Sequence, residues 1–117
     1  MIATRLKHNA ERRFAKRVCT ETLAALQAIR SAQPELKGNE LYLAVIARRS
    51  SLDAVRAQAI LRHTEASLED WGSDREPKFL DVVRYMIVSE YLGADATVDG
   101  MSIDLGAFLS KHIDPQL

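Results

Sequence analysis

The stretch Ile46-Ala47-Arg48-Arg49-Ser50-Ser51-Leu52-Asp53-Ala54-Val55-Arg56-Ala57-Gln58-Ala59-Ile60-Leu61 decides the reading of the chain. Apolar residues recur on both sides of Ser50 and Ser51 at helical rather than alternating spacing. The two serines interrupt the period, and Ser50 and Asp53 form a Ser-x-x-Asp pattern close to a capping box. The stretch therefore predicts one helix ending, a short corner, and a second helix beginning.

Working backwards, the earlier of these helices starts near Asn39, a good cap, and carries Leu41, Tyr42, Leu43, Val45 and Ile46. It is apolar nearly all round, so it belongs at the centre of the fold. Before it lies a long helix from about Thr4 to about Ser31, with Leu6, Ala10, Phe14 and Val18 at four-residue spacing and Ala25, Leu26 and Ile29 beyond. Pro34 closes it. Working forwards, the helix after the corner reaches about Trp71 and is stopped by Gly72. It shows two apolar faces, with Leu52, Val55, Ala59 and Ala66 on one side and Ala57, Leu61 and Leu68 on the other. Such a helix needs neighbours on both sides, one of which can belong to a second subunit.

Ser73-Asp74-Arg75-Glu76 is a further helix-start signature, with Pro77 in the first turn. The helix it opens carries Phe79, Leu80, Val83, Met86, Ile87, Tyr91 and Leu92 and ends at Gly93, read as a left-handed cap. Residues 94–101 read as a loop, and Ser102 to His112 as a short last helix. Only Thr97-Val98 and Met101 to Ile103 are candidates for brief strands. The expectation is an all-α compact bundle of about five helices, a single domain over residues 1–117.

Composition supports a folded domain. Of 117 residues, 47% are hydrophobic and 27% charged, and Gly and Pro number 5 and 3, too few for long loops. The lone cysteine, Cys19, rules out an internal disulfide framework and reads as a small core residue. Arg12, Lys16 and Arg17 nearby would lower its pKa. Arg5, Lys7, Arg12 and Arg13 interrupt the opening turns, so no signal peptide is read there, and the expected setting is cytoplasmic. The longest apolar run, Leu41 to Ala47, is too short to cross a bilayer.

The net charge is zero, but residues 1–62 hold 12 Lys and Arg against 5 Asp and Glu, a net +7, while residues 63–117 hold 4 against 11, a net −7. The two halves can attract one another, or the basic half can meet an anionic partner; a neutral domain favours the first. Arg5, Arg12, Arg13, Lys16 and Arg17 share an arc of about 140° on the first helix, with Glu11 the only nearby acid. No aromatic residues interleave to stack bases there.

The opening stretch also looks like a bacterial helix-turn-helix. Ala47 sits where the helices would cross, Leu52 under the turn, Asp53 as cap, and Ala57 and Ile60 as packing. The resemblance implies nucleic-acid contacts from Arg48, Arg49, Arg56 and Gln58. It covers 16 residues. Ser51 replaces the usual turn glycine and would need a left-handed backbone, and Asp53, Glu65, Glu69 and Asp70 would repel phosphate.

Other chemistry finds no pattern. His8, His63 and His112 lack metal-ligand spacing, residues 69–76 lack the ligand order of a calcium loop, and no phosphate loop or nucleophile elbow occurs. Trp71 reads as an anchor over the core or an interface contact. No catalytic, cofactor or metal residues are assigned. The expected function is a non-catalytic protein–protein interaction or homo-oligomerising module with a protein partner or itself, as a homodimer. The alternative is a helix-turn-helix regulator, and a membrane partner is not expected.

Overall fold

The computed structural model describes residues 2–93 and 100–116. Its helices are α1 (Ile2–Ala32), α2 (Gly38–Ser50), α3 (Ala54–Asp70), α4 (Phe79–Leu92) and α5 (Leu105–His112), followed by a 3-10 turn (Asp114–Gln116). Among the described residues there is no strand; Met101 to Ile103 are irregular, and Thr97-Val98 lie outside the described residues. At about 1.5 Å per residue, the 31 residues of α1 account for most of the 49 Å long axis of the molecule. α2 and α4 each pack on both α1 and α3, and α5 closes one end against α1 and α4. The predicted all-α bundle of five helices is the architecture found.

The core draws from every helix. Val18, Leu26, Val45, Ile46, Leu61, Met86, Ile87 and Leu109 are fully buried in it. α2 lies centrally, with Leu41, Val45 and Ile46 buried and Tyr42, Leu43, Ala44 and Ala47 half-buried against them. On α1 the buried stripe is Glu11, Ala15, Val18, Thr22, Ala25 and Ile29, not the series from Leu6 to Phe14 that spacing suggested. Leu6 is 62% exposed and Phe14 half-buried. Glu11 takes the core side because its carboxylate has partners there. It accepts the Ser102 backbone N–H at 2.5 Å and the Ser102 hydroxyl at 2.8 Å. A buried carboxylate needs such donors.

That contact also moves the start of α5. Ser102 is held by Glu11, and Asp104 is the residue that caps α5, accepting the Ala107 N–H at 3.1 Å. α4 likewise starts later than expected, at Phe79, so Pro77 lies before the helix. Arg75 folds back in a bidentate pair with Asp81 at 2.7 and 2.9 Å, and Asp81 also accepts the Lys78 N–H at 2.7 Å. Burial pushes the Asp81 carboxyl up, but Arg75, the Lys78 amide and the charge of Arg84 together hold it below the usual carboxylate range. Gly93 does cap α4, at φ 107° and ψ 164°, outside the left-handed helical region.

The corner between α2 and α3 forms where it was read. α2 opens at Lys37 rather than on an Asn39 cap. It closes at Ser51, whose backbone is left-handed, at φ 54° and ψ 35°. The Ala47 carbonyl accepts both the Ser51 N–H and, at 3.1 Å, the Leu52 N–H. Asp53 alone then caps α3, its side chain accepting the Arg56 N–H at 2.9 Å; Ser50 is the last residue of α2. At the far end Gly72, at φ 75°, and Ser73 return N–H bonds to Glu69 and Leu68, the pairing expected where a left-handed residue ends a helix.

Ser51 is the one non-glycine residue with positive φ among those described. Left-handed backbone costs a side-chain-bearing residue about 1–2 kcal/mol, and glycine loosens the unfolded chain by roughly 0.4–1 kcal/mol. Ser51→Gly is therefore expected to stabilise the fold by about 0.5–1 kcal/mol, read as a higher urea midpoint at unchanged slope. Ser51→Val is expected to lower the midpoint.

Candidate functional site

The corner and the helix after it are where the sequence placed its site residues. Arg48 and Arg56 are exposed and Gln58 is half-buried. Arg49 is not on that surface. Its side chain is 6% exposed, and its guanidinium donates to Glu90 of α4 at 2.6 Å and to Glu21 of α1 at 3.1 Å. One cation thus ties α2 to α1 and to α4, while its Nε is buried without a partner. Three of the four residues remain near the surface, and the fourth is an internal clamp.

The two apolar faces of α3 have different fates. Ala57, Leu61, Thr64 and Leu68 are buried against α2 and α4. Val55, 79% exposed, and Ala59 and Ala66 face outward, with Leu52 half-buried at the corner. At about 100° per residue, Val55, Ala59, Arg62 and Ala66 fall within an arc of about 60°. Arg56 and Asp70 flank that arc on one side, Glu65 and Glu69 on the other. Arg56, Arg62, Glu69 and Asp70 are exposed, and Glu65 is half-buried, accepting from Asn39 Nδ2 at 3.3 Å.

The charge order along α3 is unusual. Beyond the Asp53 cap, its first turn carries Arg56 and no acid, and its last turn carries Glu69 and Asp70 and no base. The helix dipole favours the opposite order, by typically 0.3–1 kcal/mol for each charge. At the C-terminal end Trp71 is exposed, with the Arg84 guanidinium 5.1 Å from its ring centroid, so it is not a core anchor. His63 stacks on Tyr85 of α4 with centroids 5.9 Å apart.

Charges elsewhere are only partly matched. Arg49–Glu90 joins the basic half to the acidic half. Among the described residues, Arg12, Arg13 and Lys16 make no ion pair, and Arg17 lies over the Phe14 ring at 4.9 Å. α5 adds to this basic face: the His112 imidazole is pushed down by burial and then by the charges of Lys111, Lys16 and Arg12. Cys19 is a core thiol as expected, but burial pushes it up to about 11, against a smaller lowering by Arg49. The cations along its own helix do not make it a thiolate. Among the described residues no three His, Cys, Asp or Glu side chains converge as a metal site, and no helix is long and apolar enough to cross a membrane.

No protein-family model, curated protein or solved structure matches the chain.

Glu11 and Arg49 are the two residues whose roles the spacing did not disclose, because each depends on partners at least 28 positions away. The Arg49 clamp has an asymmetric consequence. Glu21 and Glu90 are partly exposed and can return to water, whereas the guanidinium cannot. Removing both acids in Glu21→Ala/Glu90→Ala leaves a buried unpaired charge and is expected to cost about 3 kcal/mol or more. Arg49→Met keeps the apolar stem and is expected to cost less than about 1.5 kcal/mol. Urea unfolding of the two variants checks the order.

Proposed function

We propose that this protein is a non-catalytic, self-associating module whose contact surface is the outer face of α3. The observation that carries the reading is the exposed face of Val55, Ala59, Arg62 and Ala66 on a helix whose charges run against its own dipole. A second copy of α3 laid antiparallel supplies what this helix lacks. Small residues let the two helices approach closely. A two-fold axis sets the flank of each helix against the same flank of the other. Arg56 then faces Asp70 of the second copy, and Arg62, next to its own symmetry mate at the axis, reaches Glu65 of the second copy. Each helix end also receives the charge that its dipole favours. A parallel arrangement would instead set Asp70 of each copy beside Glu69 of the other and leave both helix ends with the charge their dipole disfavours.

A single helix pair buries less than the standard interface of about 1,200–2,000 Å², so the dimer is expected to be reversible, with a dissociation constant in the micromolar range or weaker. A cytoplasmic setting accompanies this reading, in keeping with the unpaired Cys19 thiol.

One observation favours a second reading. The three-residue corner with left-handed Ser51, half-buried Leu52 and capping Asp53 has the local geometry of a helix-turn-helix. Its contacts would come from Arg48, Arg56 and Gln58, with Arg49 withheld inside the bundle. Here duplex DNA binding would fall steeply with salt and collapse in Arg56→Ala.

Sedimentation velocity from about 10 µM to about 1 mM spans the expected range. The wild type should self-associate and Ala59→Arg should remain monomeric. Arg56→Glu should weaken the dimer, and Arg56→Glu/Asp70→Arg should restore it. A wild type that stays monomeric at the highest concentration, or an Ala59→Arg variant that associates equally well, contradicts the proposal. Repeating the run with duplex DNA at two salt concentrations tests the second reading.

A further inference from the structure

A cleft of about 690 Å³ opens at the other end of α2, where the α1–α2 connection meets the start of α4. Its volume lies within the roughly 300–1,000 Å³ usual for small-molecule sites. Leu26, Leu41 and Phe79, all buried, and Leu36 and Tyr42, half-buried, give it an apolar floor and wall. Arg30, Lys37 and Lys78 stand around it, all exposed, and no carboxylate lines it. Among the described residues none of these three cations is in an ion pair. The carboxylates whose charge reaches Tyr42 are Asp81, already held by Arg75, and Glu76.

The three cations come from three separate places in the chain: the last turn of α1, the residue before α2 and the residue before α4. α2 also starts beside the cleft without a side-chain cap at Lys37, so its first-turn amides add partial positive charge. Positive charge around an apolar floor is complementary to one kind of molecule. We infer that this cleft binds an amphipathic small anion, an apolar chain or ring ending in a carboxylate-like head. The body lies on Leu26, Leu41 and Phe79, and the head meets Arg30, Lys37 and Lys78. The site is separate from the outer face of α3 and does not depend on self-association.

The test is an amide-resolved NMR titration of the full chain with decanoate, kept below its micelle threshold, against decanol and inorganic phosphate. Decanoate is expected to shift amides of residues 26–42 and 78–79, and to bind at least roughly tenfold more tightly than decanol, the worth of about one charge-assisted hydrogen bond. Phosphate alone should bind more weakly than decanoate. The variant Arg30→Gln/Lys37→Gln/Lys78→Gln changes exposed side chains only and should lose the preference for decanoate over decanol. Equal binding of decanoate and decanol by the wild type overturns the inference, as does phosphate binding as tightly as decanoate, or shifts that avoid these residues. The wild-type comparisons decide it even if the triple variant does not fold.

Discussion

The guanidinium of Arg49, held between Glu21 and Glu90, is a buried charge that needs both partners, and meeting that need constrains how α1, α2 and α4 come together. It sits one residue before the end of α2 and joins three helices at once. Two residues later the chain reverses at left-handed Ser51. Left-handed Ser51 ends α2, and the corner sets the direction in which α3 leaves. Together they press Ala57, Leu61 and Leu68 into the core and turn Val55, Ala59 and Ala66 outward. The same clamp removes Arg49 from any surface that could meet a nucleic acid.

The exposed face of α3 is therefore a consequence of packing rather than a loose end of it. The four buried residues of α3 already meet α2 and α4, and among the described residues no further helix covers the other side. A helix with basic residues early and acidic residues late is electrostatically disfavoured alone. Set antiparallel to its own copy, the same pattern is complementary. The proposed self-association would account for both the apolar and the charged features of α3, whereas a phosphate backbone would be attracted by Arg56 and Arg62 and repelled by Glu69 and Asp70.

Much of this was legible in the sequence because it depends on local spacing. Helical periodicity places α2, α3 and α4, the central position of α2 follows from its all-round apolar surface, and Asp53 and Gly72 mark the ends of α3. What local reading misses is set by tertiary partners or by side chains that fold back on their own connection. Glu11 looks like a lone acid on a basic face, yet Ser102, 91 residues on, draws it into the core and delays α5. Arg75 looks like part of a helix start, yet its pair with Asp81 holds it in the connection before α4. Leu6 has the spacing of a core residue, yet it is left exposed near the start of α1. The Cys19 thiol follows its burial and not the cations beside it in sequence. Of the candidate nucleic-acid residues, spacing puts all four at the corner, and only tertiary pairing separates Arg49 from the others.

Disulfide trapping tests the antiparallel face most directly. The native Cys19 is buried, so a cysteine introduced on α3 is the accessible thiol. The proposed two-fold arrangement would set Ala59 beside Ala66 of the second copy. When Ala59→Cys and Ala66→Cys proteins are mixed and mildly oxidised, the account predicts that the mixed 59–66 dimer forms faster than either homodimer. Homodimers forming as fast as the mixed species, or no cross-link at concentrations where the wild type sediments as a dimer, would contradict it.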